Sequence, residues 1–322
     1  MRLALMLLAT AVFCGAVAVK QEGKEKSVCQ VTLTLTEEGK NVPGLVRVVN
    51  EQGAEVPLPG LMSRGLGLPG DKDINRWWML TKPTKVELPQ GRYELQAFAG
   101  LETELAKQPL VLNQAEATVS VPLSRFYQAA AQGWRSANTH LHLNKLTKED
   151  ADRYLSQAPR VDGLDMVFVS YLERVKADLE YTSNKYDLAD LERIGQSSGV
   201  AFGYGEEHRH NFLGFGEGYG HVMLLNIKQL VQPVSIGPGI MGSGDDGRAI
   251  QQGIDEARRD GASIIWCHNA WGLEDVPNWV TGRLDAQNIF DGGTHGSFKD
   301  SFYRYLNAGV KVPFSTGTDW FM

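Results

Sequence analysis

Histidines occur in only one part of this 322-residue sequence. All seven lie between residues 140 and 295. His140 and His142 are separated by one residue, and residues at positions i and i+2 of a β-strand point to the same face. Two imidazole rings placed in this way can approach one cation. The pair therefore indicates a metal site, provided that this segment is a strand.

Three further segments place metal-binding side chains just past apolar, strand-like stretches. His268 follows one such stretch, the adjacent Glu206 and Glu207 follow another, and Asp319 follows a third. In parallel α/β folds, chemistry collects at the carboxyl ends of the strands. Four segments would thus bring nitrogen and oxygen donors to one rim, a mixture that suits zinc, manganese or iron.

Each of these residues has an ordinary explanation when it is taken alone. A His-x-His pair is more often incidental than a ligand pair, and His268 fits a hydrogen-bonded core histidine. Asp319 fits a turn or helix cap, and residues 206–210 fit a solvated loop. The combination of all four at matching strand ends is what favours a metal site.

The elements that must position these residues belong to an α/β domain, which we place at residues 130–322. Buried strands are predicted at 164–169, 201–204, 222–225, 262–267 and 310–314. Helices are predicted near 249–259 and 298–307, each followed by a glycine that terminates it. Alternating strands and helices indicate a largely parallel sheet, either open or closed into a barrel.

Residues 27–125 form a second region, with an all-β pattern. Apolar residues alternate with polar ones at 31–35, 93–97 and 117–121, and turn signals separate these stretches. Short strands at this spacing predict a sandwich-like domain. Trp77 and Trp78 fit either a ligand platform, such as a cell-surface or glycan contact, or a buried interface pair.

The first 18 residues have the pattern of a signal peptide. Arg2 precedes an apolar run, and Ala16-Val17-Ala18 fits a small-x-small cleavage site. We therefore expect an exported protein, periplasmic or secreted, with no stable membrane insertion after cleavage. Cys29 and Cys267 would remain, and two cysteines do not make a disulfide framework.

The overall charge excludes some partner classes. The formal net charge is -6 and the pI is about 5.7, and no run of basic residues interleaves with aromatic ones. Nucleic acid is therefore not an expected partner. A small-molecule substrate is the expected partner.

The α/β region resembles the PHP (polymerase and histidinol phosphatase) superfamily. Residues 136–142 resemble its opening His-x-His motif, and Gly205-Glu206-Glu207 resembles its Gly-x-Glu motif. Gly220-His221 resembles a step found in the branch that contains carbaryl hydrolases. Further resemblances, in the family's order along the chain, are found at 163–167, 266–269 and 317–319.

This resemblance implies a distorted (β/α) barrel with a metal centre of up to three ions, which hydrolyses phosphoesters or amide-like bonds. It implies that the ligands of a first metal are His140, His142, Glu207 and Asp319. His221 and His268 would complete a second site or act on the substrate. The Gly-x-Glu spacing favours Glu207 over Glu206, which remains the alternative.

Two departures from the family pattern reduce the expected number of metal ions. The sequence has 170–173 (Ser-Tyr-Leu-Glu) where the family has Thr-Asp-His, and Asp319-Trp320-Phe321 where it has Asp-x-His. One ion is therefore expected, with two as the alternative. His208 or His210 would be substitute ligands, and Glu173 a less favoured one. The chain also ends at Met322, where the family continues, so a C-terminal truncation is expected.

The predicted function is that of an exported metal-dependent hydrolase. A metal-activated water would attack an amide, carbamate, ester or phosphoester, with His268 or His221 moving a proton. Arg209 fits either an anion contact or a surface position. The rival hypothesis is an exported, non-catalytic binding protein with a decayed barrel. A serine hydrolase is not favoured, because no Gly-x-Ser-x-Gly motif occurs.

Three other segments carry weaker predictions. Residues 214–220 are glycine-rich and fit a substrate-gating loop between Glu207 and His221. Asp245-Asp246-Gly247 fits a turn better than a calcium site. Asp291 fits a place on the same rim as the candidate ligands.

Overall fold

The computed structural model describes residues 27–68, 72–144, 146–212, 215–236, 249–268, 274–290 and 298–319. The predictions for the signal peptide, for residues 245–247 and for Asp291 fall on residues outside these ranges, as do Gly214 and the last three residues. Residues 215–220 of the glycine-rich segment belong to a β-strand, Phe215–Leu225, so the prediction of a loop there is wrong. Among the described residues, no helix is long and apolar enough to cross a membrane.

The described residues of the N-terminal region form ten strands in two sheets. In the first sheet β1 pairs with β10, β2 and β7, and in the second the order is β5-β6-β3-β8-β9 with β4 on β3. Their bounds are β1 Val28–Glu37, β2 Lys40–Asn41, β3 Gly44–Asn50, β4 Glu55–Val56, β5 Met62–Ser63, β6 Trp78–Leu80, β7 Thr84–Pro89, β8 Gly91–Phe98, β9 Ala106–Leu112 and β10 Glu116–Pro122.

The two sheets share one apolar core. Strand β1 shows the period-2 pattern that the sequence predicts, with Cys29, Val31, Leu33 and Leu35 all buried on one face. Side chains of β3, β8 and β9 from the other sheet pack into the same cluster. Two sheets around one core is the arrangement that a sandwich requires, and the domain boundary at 27–125 stays a prediction.

The described residues of the C-terminal region form eight strands and five α-helices. The strands are β11 Ala137–Leu141, β12 Met166–Tyr171, β13 Ala201–Phe212, β14 Phe215–Leu225, β15 Ser235–Ile236, β16 Ser263–Trp266, β17 Ala286–Phe290 and β18 Phe314–Thr316. The helices are α1 Lys148–Val161, α2 Leu188–Ser198, α3 Gln251–Arg259, α4 Asp275–Val280 and α5 Phe298–Asn307.

These strands form a single sheet that nearly closes on itself. The order is β11-β12-β13-β14-β16-β17-β18, with β15 on β13, and all pairs are parallel except the two that β14 makes with β13 and β16. The backbone N–H groups of Thr318 and Asp319 donate to the carbonyl of His140 at 3.0 and 2.8 Å, which joins the last segment to the first. The predicted mixed α/β class and barrel-like sheet are confirmed.

The sheet has an inner and an outer apolar face. Residues alternate along β14, so Met223 and Leu225 pack with Ile265 in one cluster. Val222 and Leu224 pack on the opposite side in a cluster that includes residues of α3. Because Glu207 pairs directly with Met223 across the two strands, Glu207 faces the inner side.

The N-terminal sheets pack against helix α1 of the barrel. Met62 and Met79 share an apolar cluster with Tyr154 of α1, and Trp77 packs against the same cluster. Arg64 forms a salt bridge with Asp162, at 2.6 Å. Trp78, the other member of the tryptophan pair, packs against the core of the two sheets. The packing favours the buried interpretation of the pair over the ligand platform.

Candidate metal centre

Four side chains of the predicted site converge inside the barrel. His140 and His142 come from β11 and the position after it, Glu207 from β13, and Asp319 from the segment after β18. All four are buried, and one candidate ligand atom from each lies within 4.8 Å of the others. The structure therefore brings together, from three separate parts of the chain, the residues that the sequence placed at one rim.

The donor atoms are spaced as ligands of one ion would be. His140 Nε2 lies 3.2 Å from His142 Nε2 and 3.1 Å from Asp319 Oδ1, and His142 Nε2 lies 3.0 Å from Glu207 Oε2. His142 Nε2 lies 4.0 Å from Asp319 Oδ1. Ligands at about 2.1 Å from a tetrahedral ion lie about 3.4 Å apart. The four residues thus fit a small divalent transition metal.

Two more predicted residues adjoin this cluster. Glu207, His221 and His268 form a second buried group whose ligand atoms lie within 4.8 Å of one another. Glu207 Oε1 lies 3.6 Å from His221 Nδ1 and 3.8 Å from His268 Nε2. Glu207 belongs to both groups, since its Oε2 faces the first pair of histidines and its Oε1 the second.

Strand alternation separates Glu207 from its neighbour Glu206. Glu206 lies on the outer face of β13, where its carboxylate accepts hydrogen bonds from His208 Nδ1 at 2.9 Å and from the backbone of Val231 at 2.7 Å. Burial raises the pKa of Glu206, and the bond from His208 offsets that rise only in part. Among the described residues, neither Glu206 nor His208 belongs to a metal-binding group, and the alternative ligands of the sequence analysis do not join the cluster.

The charge state of the cluster suits a cation. Burial alone would raise the pKa of Glu207, but the positive charge of Arg209 and hydrogen bonds from His140 and His142 hold that pKa well below its ordinary value. Burial also opposes ionisation of Asp319, whose pKa is nevertheless lowered by His140. Two carboxylates are thus kept ionised in an interior from which water is largely excluded, and buried anions of this kind need a positive partner.

Two of the site residues have unusual backbone conformations. His268 has φ = 59° and Asp319 has φ = 58°, in the left-handed region that residues other than glycine rarely adopt. Each follows the end of a strand. Such conformations cost free energy, persist only when the surrounding structure holds them, and cluster at functional sites. The two hydrogen bonds to the carbonyl of His140 hold the second of these segments in place.

A neighbouring polar group lies at the other ring nitrogen of each of these two histidines, His140 in β11 and His142 just after it. His142 Nδ1 lies 3.0 Å from the carbonyl oxygen of Ser170, so it donates its N–H there and leaves Nε2 turned to Glu207. His140 Nδ1 lies 3.4 Å from Nδ2 of the completely buried Asn288. With this amide turned by about 180°, its oxygen would accept the Nδ1–H and the Nε2 lone pair would face the cluster. In each ring one nitrogen is engaged by a neighbour, while the other points into the cluster.

Replacing Asn288 by alanine is expected to lower the metal affinity by about 10- to 100-fold, because the ring of His140 loses the group that orients it. The matched control is Gln287→Ala. Gln287 is equally buried but accepts a hydrogen bond from Trp279 Nε1 at 3.1 Å, away from the cluster. Chelator competition should show the loss only for Asn288→Ala. Equal affinities for the two variants would exclude this orienting role.

Comparisons with known proteins add little to this geometry. No protein-family model matches the sequence, and no curated protein matches it. Among solved structures, the chain is similar to a two-domain protein from Bacteroides vulgatus ATCC 8482 that contains a predicted PHP-like metal-dependent phosphoesterase. The identity is 15% and the TM-score 0.37, over 58% of this chain and 52% of that one. A likeness of this degree, over about half of that protein's length, assigns no function to this chain.

Two features of the site were not predicted from the sequence. Glu206 and Glu207 were expected after a strand that ends at Tyr204, but β13 continues to Phe212. Had the longer strand been recognised, alternation would have put Arg209 on the same face as Glu207, inside the barrel. Asn288 was missed because strand β17 was not predicted.

Proposed function

We propose that this chain is a metal-dependent hydrolase. The observation that carries the proposal is the convergence of His140, His142, Glu207 and Asp319, all buried, with one candidate ligand atom from each lying within 4.8 Å of the others. A buried set of two imidazoles and two carboxylates suits zinc, manganese or iron. A divalent ion held there supplies a Lewis acid and activates a water molecule.

The chain's own residues supply the remaining groups of a hydrolytic site. His221 and His268 are buried beside Glu207, with their rings 5.2 Å apart, and neither is needed to complete the first group of ligands. An imidazole near neutral pH can take a proton from water or give one to a leaving group. We assign these two histidines to proton transfer or to a second cation site.

The substrate class in this proposal is a small molecule with an amide, carbamate, ester or phosphoester bond. Membership of the PHP superfamily, near the carbaryl-hydrolase branch, is part of the proposal and rests on the order of the sequence motifs. Export by the N-terminal 18 residues, and contact of the N-terminal sheets with a cell surface or glycan, are proposed on sequence grounds alone.

A substrate panel tests the hydrolase proposal. The purified chain, loaded in turn with Zn²⁺, Mn²⁺ and Fe²⁺, should hydrolyse at least one of a set of activated esters, carbamates, anilides and phosphoesters. The activity should disappear with chelator and in the His140→Ala/His142→Ala double variant. Tight metal binding without any hydrolysis would instead support the rival hypothesis of a binding protein.

A further inference from the structure

The two oxygens of Glu207 have different surroundings. Oε2 faces the first cluster and lies 3.0 Å from His142 Nε2. Oε1 faces the second group, and its shortest contact there is with an arginine, because Arg209 Nη1 donates to it at 2.8 Å. The distances from Oε1 to His221 and His268 are longer, at 3.6 and 3.8 Å. A guanidinium group therefore lies at the oxygen that a second metal ion would need.

The fold places Arg209 at this position. It lies two residues after Glu207 on β13, so both side chains point to the inner face. It pairs directly with His221 across β13 and β14, and directly opposed side chains of antiparallel strands contact each other. Arg209 is 6% exposed. The arrangement is part of the sheet and does not depend on a surface loop.

The charge of Arg209 cannot be removed by a change of protonation, because an arginine side chain stays protonated in proteins. A second divalent ion bound by Glu207, His221 and His268 would share Oε1 with this fixed positive charge. Like charges this close in a buried site repel each other strongly. Arg209 already neutralises Oε1 through its hydrogen bond at 2.8 Å.

We propose that Arg209 stands in place of a second metal ion, so that the centre holds one ion, and that Arg209 with His221 and His268 forms a binding pocket for an oxyanion of the substrate. This inference rests on the proposed function and refines it. The pocket combines a guanidinium fork, which matches phosphoryl and carboxyl oxygens, with two imidazoles that can donate hydrogen bonds. The substrate class that fits is a phosphoester, or an acyl compound whose carbonyl oxygen becomes negative when water adds.

A second arginine is held rigidly just past strand β12. Arg174 follows strand β12 and is fixed by Asp178, whose carboxylate accepts hydrogen bonds from Nε and Nη2, both at 3.0 Å. Burial lowers the pKa of Arg174, but the hydrogen bonds to Asp178 and the negative charge of Glu207 outweigh it and raise that pKa. Arg174 is thus a rigidly held positive charge within electrostatic range of Glu207, and it is 30% exposed.

Metal stoichiometry tests the first half of the proposal. Metal-free full-length chain is titrated with Zn²⁺ by calorimetry, and the bound metal is counted by elemental analysis after gel filtration. Wild type should bind one ion per chain. Arg209→Met should bind a second, since Glu207, His221 and His268 remain in place. The control is Arg193→Met, a 56% exposed arginine of helix α2, which should bind one. Two bound ions in wild type, or only one in Arg209→Met, would show that Arg209 does not take the place of a second metal ion.

Inorganic phosphate tests the oxyanion pocket. With one equivalent of Zn²⁺ per chain, so that the second site of Arg209→Met stays empty, wild type should bind phosphate. Arg209→Met should then bind it about 30-fold more weakly, the lower end of the scale for losing one partner of a buried charge pair. Arg209→Lys keeps the charge but loses the fork. Arg209→Lys should still bind one Zn²⁺ but should bind phosphate more weakly than wild type. It takes the place of Arg209→Met in this test if Arg209→Met does not fold. Unchanged phosphate affinity in the folded variants would show that Arg209 is not part of an oxyanion-binding pocket.

The outcomes separate this inference from the proposed function. If wild type binds no metal, the hydrolase proposal fails. If wild type binds two ions and hydrolyses a substrate, the hydrolase proposal stands and only the role of Arg209 is wrong.

Discussion

Replacing Glu207 by glutamine should abolish metal binding and also destabilise the fold. Glutamine has nearly the same shape, so the loss would come from the charge. Glu207 supplies an oxygen to both groups of candidate ligands, and the metal affinity should fall on the order of 100-fold or more. Arg209 would also lose its partner at 2.8 Å, and an unpaired buried charge costs about 3–5 kcal/mol of stability. Chelator competition and denaturant unfolding measure the two effects.

The neighbouring carboxylate provides the control for this experiment. Glu206 is as buried as Glu207 but faces the opposite side of β13, where it binds His208 and the backbone of Val231. Glu206→Gln should therefore keep the wild-type metal affinity, whatever its effect on stability. If Glu206→Gln lost the metal and Glu207→Gln kept it, the assignment of the two faces would be wrong.

Gly317→Ala is expected to disrupt the centre although glycine offers no ligand atom. A Cβ added at Gly317 would lie 2.4 Å from His140 Cβ and 2.8 Å from the His140 backbone nitrogen. The neighbouring backbone cannot move away without shifting His140 or Asp319, two of the four ligands. Overpacking of this kind costs about 1–3 kcal/mol, and a displaced ligand should reduce metal affinity roughly tenfold or more. Thermal unfolding and chelator competition measure these changes.

Gly91→Ala is the matched control for Gly317→Ala. The atoms nearest to a Cβ at Gly91 would be the hydroxyl oxygen of Tyr93 at 3.4 Å and its ring carbons at 3.5 Å, which is ordinary contact. Both the melting temperature and the metal affinity of this variant should stay close to wild type. A Gly317→Ala variant that behaved like Gly91→Ala would show that the close approach of the last segment to β11 does not hold the ligands in place.

Much of the centre could be predicted because its residues obey simple periodicities. His140 and His142 share a face because strand side chains alternate, and His268 and Asp319 follow strands that end at the same rim. The predicted helices near 249–259 and 298–307 agree closely with α3 and α5. In these segments the local sequence pattern and the tertiary structure favour the same secondary structure.

The other features of the site depend on how the strands pair with one another, which the local sequence pattern does not show. Strand β13 carries polar residues on both faces from Glu206 to His210, so no apolar alternation marks it as a strand. Its polar inner face is stabilised by the site itself, and its polar outer face by the Glu206–His208 pair. The antiparallel insertion of β14, which places His221 opposite Arg209, follows from contacts across the sheet.

The location of the last strand was also predicted imperfectly. The apolar stretch 310–314 suggested a strand there, but β18 is Phe314–Thr316. Thr139 Oγ1 donates to the carbonyl of Thr316 at 2.7 Å and accepts from Ser315 Oγ at 2.8 Å, and these bonds fix the later register against β11. Closure of the barrel, rather than hydrophobicity, therefore determines where the strand lies and brings Asp319 to His140.

Metal content per chain tests the central claim most directly. Full-length protein purified without added metal is stripped with chelator, reloaded with Zn²⁺, passed through gel filtration and subjected to elemental analysis beside the His140→Ala/His142→Ala double variant. We expect about one ion per chain in wild type and none retained by the double variant. A wild-type chain that retains no metal, or a double variant that retains as much as wild type, would contradict the assignment of this cluster as a metal centre.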